Sequence, residues 1–232
     1  MKNYRKSKAI VALMLLSTWI CITGCVFEDD PFNPSNDAYV DLGLPSGTLW
    51  ATCNLGAEAP EQYGDYFAWG ETESKTTYNW STYKYSYGDS NVELLTKYCN
   101  SADFGYNGFT DNLTRLEPTD DAATVILGND WCMPTYDQWK ELYEHTSWDW
   151  TSKKGTKGIL FTADNGNTLF LPAAGGRYDD NLFYFNVEGL YWSSELYVVS
   201  SVSYFNFNMD FCSMKYGPHR TGYSVRPVRS TH

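Results

Sequence analysis

The sequence predicts an α+β domain in which mostly antiparallel strands dominate and two short helices stand apart. Three observations point there. Aromatic runs are kept short by Gly and Asn, two segments carry helix-start chemistry, and an Asn-Gly pair separates two apolar runs. The 232 residues include 19 Tyr, 12 Phe, 9 Trp and 18 Gly, and such runs broken by turn formers are strand-and-loop chemistry.

The first helix is expected within 118–127. Thr119 is placed to cap it, with Asp120 and Asp121 in a first turn where the helix dipole favours negative charge. The second begins at 134, where Thr135 and Gln138 fit a capping box and Trp139, Leu142 and Tyr143 recur on one apolar face. Residues 158–164 and 167–172 read as a hairpin, because Asn165-Gly166 supplies the positive φ angles of a type I′ turn. Residues 203–211 alternate as one half-buried strand, with Phe205, Phe207, Met209 and Phe211 inward. Tyr204, Asn206, Asn208 and Asp210 then face solvent or a ligand. Residues 222–229 close the domain, with Pro227 suited to a sheet edge.

The N-terminus addresses the chain to a membrane. Lys2, Arg5, Lys6 and Lys8 precede the apolar run 9–20, which is shorter than the roughly 20 apolar residues of a membrane span. The stretch 22–25 (ITGC) resembles a lipobox, so residues 1–24 are expected to leave as a signal peptide and Cys25 to take lipid. An ordinary signal peptide with a chance cysteine is the alternative. Residues 25–37 form a linker, with Glu28, Asp29 and Asp30 followed by Pro31 and Pro34. Acids at that place resemble a surface-export signal of some outer-membrane lipoproteins; a periplasmic tether is the plainer alternative. The expected domain is 38–232.

Loss of residues 1–24 removes four of the 17 Lys+Arg and none of the 28 Asp+Glu, leaving 13 against 28, a formal charge of −15. That balance excludes the concentrated positive charge of a nucleic-acid binder. Four cysteines remain after Cys25: Cys53, Cys99, Cys132 and Cys212. They allow two disulfides in three connectivities, or buried free thiols, and no pair has zinc-ligand spacing.

Catalytic chemistry is not indicated, and no cofactor or metal is expected. His145, His219 and His232 are scattered, Ser193-Ser194 lacks a nucleophile-elbow context, and the adjacent Asp120 and Asp121 diverge by about 100° on a helix, unlike a glycosidase pair.

Several ordered motifs resemble one family. They are 41–54 (DLGLPSGTLWATCN), 64–72 (GDYFAWGET), 94–99 (LLTKYC), 116–123 (LEPTDDAA), 131–135 (WCMPT), 171–175 (LPAAG), 191–194 (YWSS) and 224–228 (SVRPV). Together they resemble the Fibrobacter succinogenes major paralogous domain over nearly all of 38–229. That resemblance implies a C-type-lectin-like fold of the kind shared with formylglycine-generating enzymes, whose active-site cysteine pair has no counterpart here. The family usually has Arg where this chain has Cys132, and Cys212 is likewise unexpected, which suggests a Cys132–Cys212 bridge.

The segment 196–221 is rich in Tyr, Ser and Asn, residues that binding surfaces favour for amphipathic contact and adaptable hydrogen bonding. Its layout resembles the target proteins of diversity-generating retroelements. Tyr197, Val199, Ser201, Cys212, Ser213, Tyr216, Gly217, Pro218 and His219 are of types reachable from an asparagine codon. The expectation is an outer-membrane, surface-exposed lipoprotein that binds an extracellular protein or glycan. Tyr197, Tyr204, Asn206, Asn208, Asp210, Tyr216 and His219 would make the contacts, and Trp50, Trp69, Trp131, Trp139 and Trp192 would hold the scaffold. A structural or adhesive surface subunit is the alternative.

Overall fold

A computed structural model describes residues 39–88, 93–198 and 201–230. The signal segment, Cys25, the linker and Val199 lie outside the described residues. Within them the class is α+β and mostly β, as expected, and every pairing between named strands is antiparallel.

Strand β1 (Tyr39–Asp41) pairs with β2 (Thr48–Ala51), whose other edge takes β11 (Val228–Ser230). Pro227 stands just before β11, its carbonyl accepting from Ala51 N at 2.9 Å. A second sheet joins β3 (Thr146–Lys153), β4 (Thr156–Ala163) and β5 (Thr168–Pro172), and a small hairpin joins β6 (Gly176–Tyr178) and β7 (Asn181–Phe183). The third sheet is β8 (Gly189–Val198), β9 (Ser201–Phe207) and β10 (Cys212–Pro218), with β9 central.

Helix α2 (Tyr136–Glu144) starts as expected. Gln138 N donates to Thr135 Oγ1 at 3.1 Å and Thr135 N to Gln138 Oε1 at 2.9 Å, while Trp139 and Leu142 are fully buried. Helix α1 (Ala122–Leu127) starts later than Thr119. Residues Pro118–Asp120 form a 3-10 turn and Asp121 is the cap, accepting from Ala123 N and Thr124 N with one oxygen and Met133 N with the other. A carboxylate that satisfies three orphan N–H groups outcompetes a threonine hydroxyl that reaches one.

Two turns also differ from expectation. Between β4 and β5, Ala163 N donates to Asn167 O at 3.0 Å and closes a three-residue loop of Asp164, Asn165 and Gly166, in which only Gly166 has positive φ (+85°). Asn165 is held elsewhere: its amide donates to Asp41 O at 3.0 Å and its oxygen accepts from Asn167 N at 3.0 Å. The result is the type I turn followed by a left-handed glycine that three-residue hairpin loops adopt. The turn with two positive φ angles lies instead at Lys154 (47°) and Gly155 (90°), between β3 and β4.

The expected strand 203–211 is broken after Phe207. Asn208 Oδ1 accepts from Asp210 N at 2.8 Å and Phe211 N at 3.2 Å, and Asn208 N donates to Phe211 O at 2.9 Å. A side chain that mimics a backbone acceptor diverts the chain from the ladder into a turn. Met209 therefore projects into solvent, 65 % exposed, although its alternation placed it inward.

The core is aromatic and is organised along β8. Trp50, Trp69, Trp131, Trp139 and Trp192 are all buried. The indole N–H of Trp69 reaches Ser193 O at 2.8 Å, that of Trp139 reaches Trp192 O at 3.1 Å, and that of Trp192 reaches Phe67 O at 2.7 Å. Burying a tryptophan without stranding its N–H requires such acceptors, and two of the three belong to β8 itself. Arg226 is wholly buried and donates to Asn54 Oδ1, Ala51 O and Phe170 O, which ties the first and second sheets together.

Cys53, Cys99, Cys132 and Cys212 are free thiols, so the suggested Cys132–Cys212 bridge is absent. Cys132 lies ahead of α2, bridged to Val228, whereas Cys212 lies near Tyr143 in the last turn of that helix. The nine-residue helix, about 13 Å long at 1.5 Å per residue, separates their settings. Burial pushes both thiols up to about 11.

Candidate ligand-binding site

Strand β8 follows β9 regularly from Gly189 opposite Phe207 to Trp192 opposite Tyr204, and then its register shifts twice before Val198. In the shifted stretch its polar groups turn to other segments. Ser194 N donates to Pro134 O at 2.8 Å, Leu116 N to Ser194 O at 2.9 Å and Leu196 N to Thr114 O at 2.9 Å. Glu195 Oε2 accepts from Tyr136 N, the first N–H of α2, at 2.9 Å. Bulges of this sort re-aim side chains at the ends of strands. Here residues 193–195 of β8 bulge out opposite Ser203 and are pinned between α2 and residues 114–116, and pairing with β9 resumes at Leu196 opposite Val202.

The bulge borders a cleft of about 370 Å³ lined by Thr114, Tyr136, Asp137, Glu195, Leu196, Tyr197 and Ser203. Two carboxylates and four hydroxyl groups point to it, and no Lys or Arg lines it. Next to it the Tyr197 ring stacks on that of Tyr216, with centroids 4.6 Å apart and planes within 10°. The two rings are 51 % and 59 % exposed. Tyr216 sits opposite Ser203 across the β9–β10 ladder, so the stacked pair and the cleft share one side of the sheet.

The seven residues expected to form one contact face are therefore dispersed. Tyr197 and Tyr216 come together in solvent. Tyr204 lies on the other side of the sheet, half-buried against Trp192 and Tyr223. Asn206 is buried, its amide donating to Glu188 Oε2 at 3.0 Å and Gly189 O at 3.2 Å. Asn208 and Asp210 build the turn. His219 is wholly buried among the rings of Trp69, Trp80 and Tyr83. Inward and outward positions alternate along a strand, but β9 has an aromatic layer on both faces, so the polar side of the pattern is not a solvent side.

Thr114, Tyr136, Asp137, Glu195 and Ser203 were not singled out from the sequence. They come from four separate segments, joined by a bulge that no local pattern announces. The one available signal was the capping box at Thr135, which sets Tyr136 and Asp137 at an accessible helix start.

Two further features frame the site. Exposed Tyr178, Leu182, Tyr184, Phe185 and Val187 form a second apolar surface around the β6–β7 hairpin, where Asp179, Tyr184 and Asn186 hold positive φ angles. Away from both surfaces, buried Asp120 gathers Lys84, Lys97, Tyr85 and Tyr98. Burial works to raise the Asp120 carboxyl, yet the hydrogen bonds from Lys97, Tyr85, Tyr98 and Lys84 outweigh it and hold the group well below the usual carboxylate range. Among the described residues no group of three or more His, Cys, Asp or Glu is placed to hold a metal ion, and no helix is long and apolar enough to cross a membrane. Comparison of the chain with protein-family models, with curated proteins and with solved structures finds no match.

Proposed function

We propose that this chain is a lipid-anchored, surface-displayed binding protein of C-type-lectin-like fold that belongs to the major paralogous domain family its motifs resemble. Its ligand is an extracellular protein or glycan, taken at the Tyr197–Tyr216 face and the adjoining cleft. The observation that carries the reading is that stacked, half-exposed pair beside a cleft of convergent polar groups. Rigid tyrosine rings offer contact area at little cost in rotamer entropy, and clefts with a few placed polar groups are where ligands bind. Anchoring rests on residues 22–25 and display on Glu28, Asp29 and Asp30.

The test is a binding screen with full-length protein in detergent micelles against a glycan array and a panel of extracellular proteins. The double variant Tyr197→Ala/Tyr216→Ala should lower retention of whatever is captured by tenfold or more, about 1.4 kcal/mol, with an unchanged thermal midpoint. Retention that survives the double variant would reject this face. The retroelement reading narrows with the fold: buried His219 is a poor site for variation, whereas Tyr197 and Tyr216 are open to it. A structural or adhesive role is favoured by the second apolar surface at Tyr178–Val187, and concentration-dependent self-association of the full chain, abolished by Leu182→Asp, would support it.

A further inference from the structure

We propose that the cleft takes an arginine side chain presented by an extracellular polypeptide; this rests on the reading of the cleft as the binding site and names the class of its ligand. The donor and acceptor inventory of the lining makes the first argument. Asp137 and Glu195 are acceptors, Thr114 and Ser203 are hydroxyls, and no Lys or Arg is present to meet an anion. A guanidinium has five N–H donors and no acceptor, and its planar fork matches a carboxylate. A neutral sugar could bond the hydroxyls but would leave the two carboxylates without a counter-charge.

Ser203 supplies an independent observation. It is only 2 % exposed and lines the cleft, where its hydroxyl can accept from an entering N–H. Tyr197 adds a face: backed by Tyr216, its ring is held flat at the edge of the cleft, where guanidinium planes stack well. The positive end of α2 also lies here, but two of its first three N–H groups are already taken. Glu195 accepts from Tyr136 N and Thr135 from Gln138 N, so the helix end offers an anion little that is free.

Full-length protein in detergent micelles is titrated by calorimetry with acetyl-Gly-Arg-Gly-amide and with the same peptide carrying citrulline, which keeps the shape and loses the charge. Arginine peptide should bind saturably and citrulline peptide about tenfold more weakly, the loss expected for a charge-assisted contact. Asp137→Asn and Ser203→Ala should each weaken the arginine peptide several-fold and leave the thermal midpoint unchanged. Equal affinity for the two peptides, no binding of the arginine peptide, or unchanged affinity in both variants would overturn the proposal. Glucosamine or N-acetylglucosamine binding in preference to the arginine peptide would overturn the ligand class alone, because the cleft would still be a binding site. If no array ligand depends on Tyr197 and Tyr216 either, the functional reading falls with it.

Discussion

Asp120 is a buried charge whose neighbours make it tolerable. Two ammonium groups and two phenols surround one carboxylate, so its ionised form is stabilised in the fold more than in the open chain. The folded carboxyl lies below the ordinary value of 3.8, so its contribution is present at neutral pH and drains away as pH falls beneath about 4. Asp120→Ala should cost about 2 kcal/mol at pH 7, since it takes the charged acceptor from buried Tyr98 and the partner from the more accessible Lys97 and Lys84. Urea unfolding at pH 7 and pH 3 provides the check: the gap between Asp120→Asn and the parent should narrow in acid. A gap independent of pH would mean that packing, and not charge, holds this cluster. By sequence position Asp120 and Asp121 look alike, as helix-start acids. Only Asp121 is one, because its neighbours in sequence supply the N–H groups, whereas the partners of Asp120 lie 22 to 36 residues away.

Local chemistry was legible wherever the deciding atoms are close in sequence. The Thr135–Gln138 box, the apolar face of α2 and the existence of the 158–172 hairpin all follow from contacts within a few residues. The turn after Phe207 was missed because alternation continues through it: Asn208 breaks the strand without breaking the pattern. The cleft was missed because β8 bulges between Trp192 and Leu196, through hydrogen bonds to Pro134 and Thr114, before it pairs with β9 again. Glycines sort the elements in the same way. A Cβ on Gly189 would fall 2.1 Å from the Phe207 ring, which is wholly buried, whereas one on Gly155 would meet nothing within 4 Å and would only strain a φ of +90°. Gly189→Ala should therefore cost about 2 kcal/mol, the usual range for overpacking. Gly155→Ala should cost about 1 kcal/mol, from backbone strain alone. Chemical denaturation of the two variants measures the order, and an equal loss would show that the β8–β9 contact yields more readily than its packing suggests.

Over the whole molecule, the α+β class and the tryptophan scaffold were readable from composition and motif, and the position of the candidate site was not. Tyr197 and Tyr216 were named with five companions that the fold places in a turn, on the other side of the sheet or in the core. A mostly aromatic sequence buries rings on both sides of a strand, so residue type alone does not separate contact from core. Buried Arg226 belongs with the scaffold for the same reason: a charge with three carbonyl-type acceptors is a clamp between sheets. The sheet that opens and closes the described domain has a mechanical side. Strands β1 and β11 both run antiparallel to β2, and so parallel to each other, with Tyr39 at one end of the sheet and Ser230 at the other. Tension applied between those two points would slide the strands along one another and load their hydrogen bonds together, where a hairpin pulled apart at its mouth would lose them one by one. A pull between Tyr39 and Ser230 would therefore meet this sheet in shear.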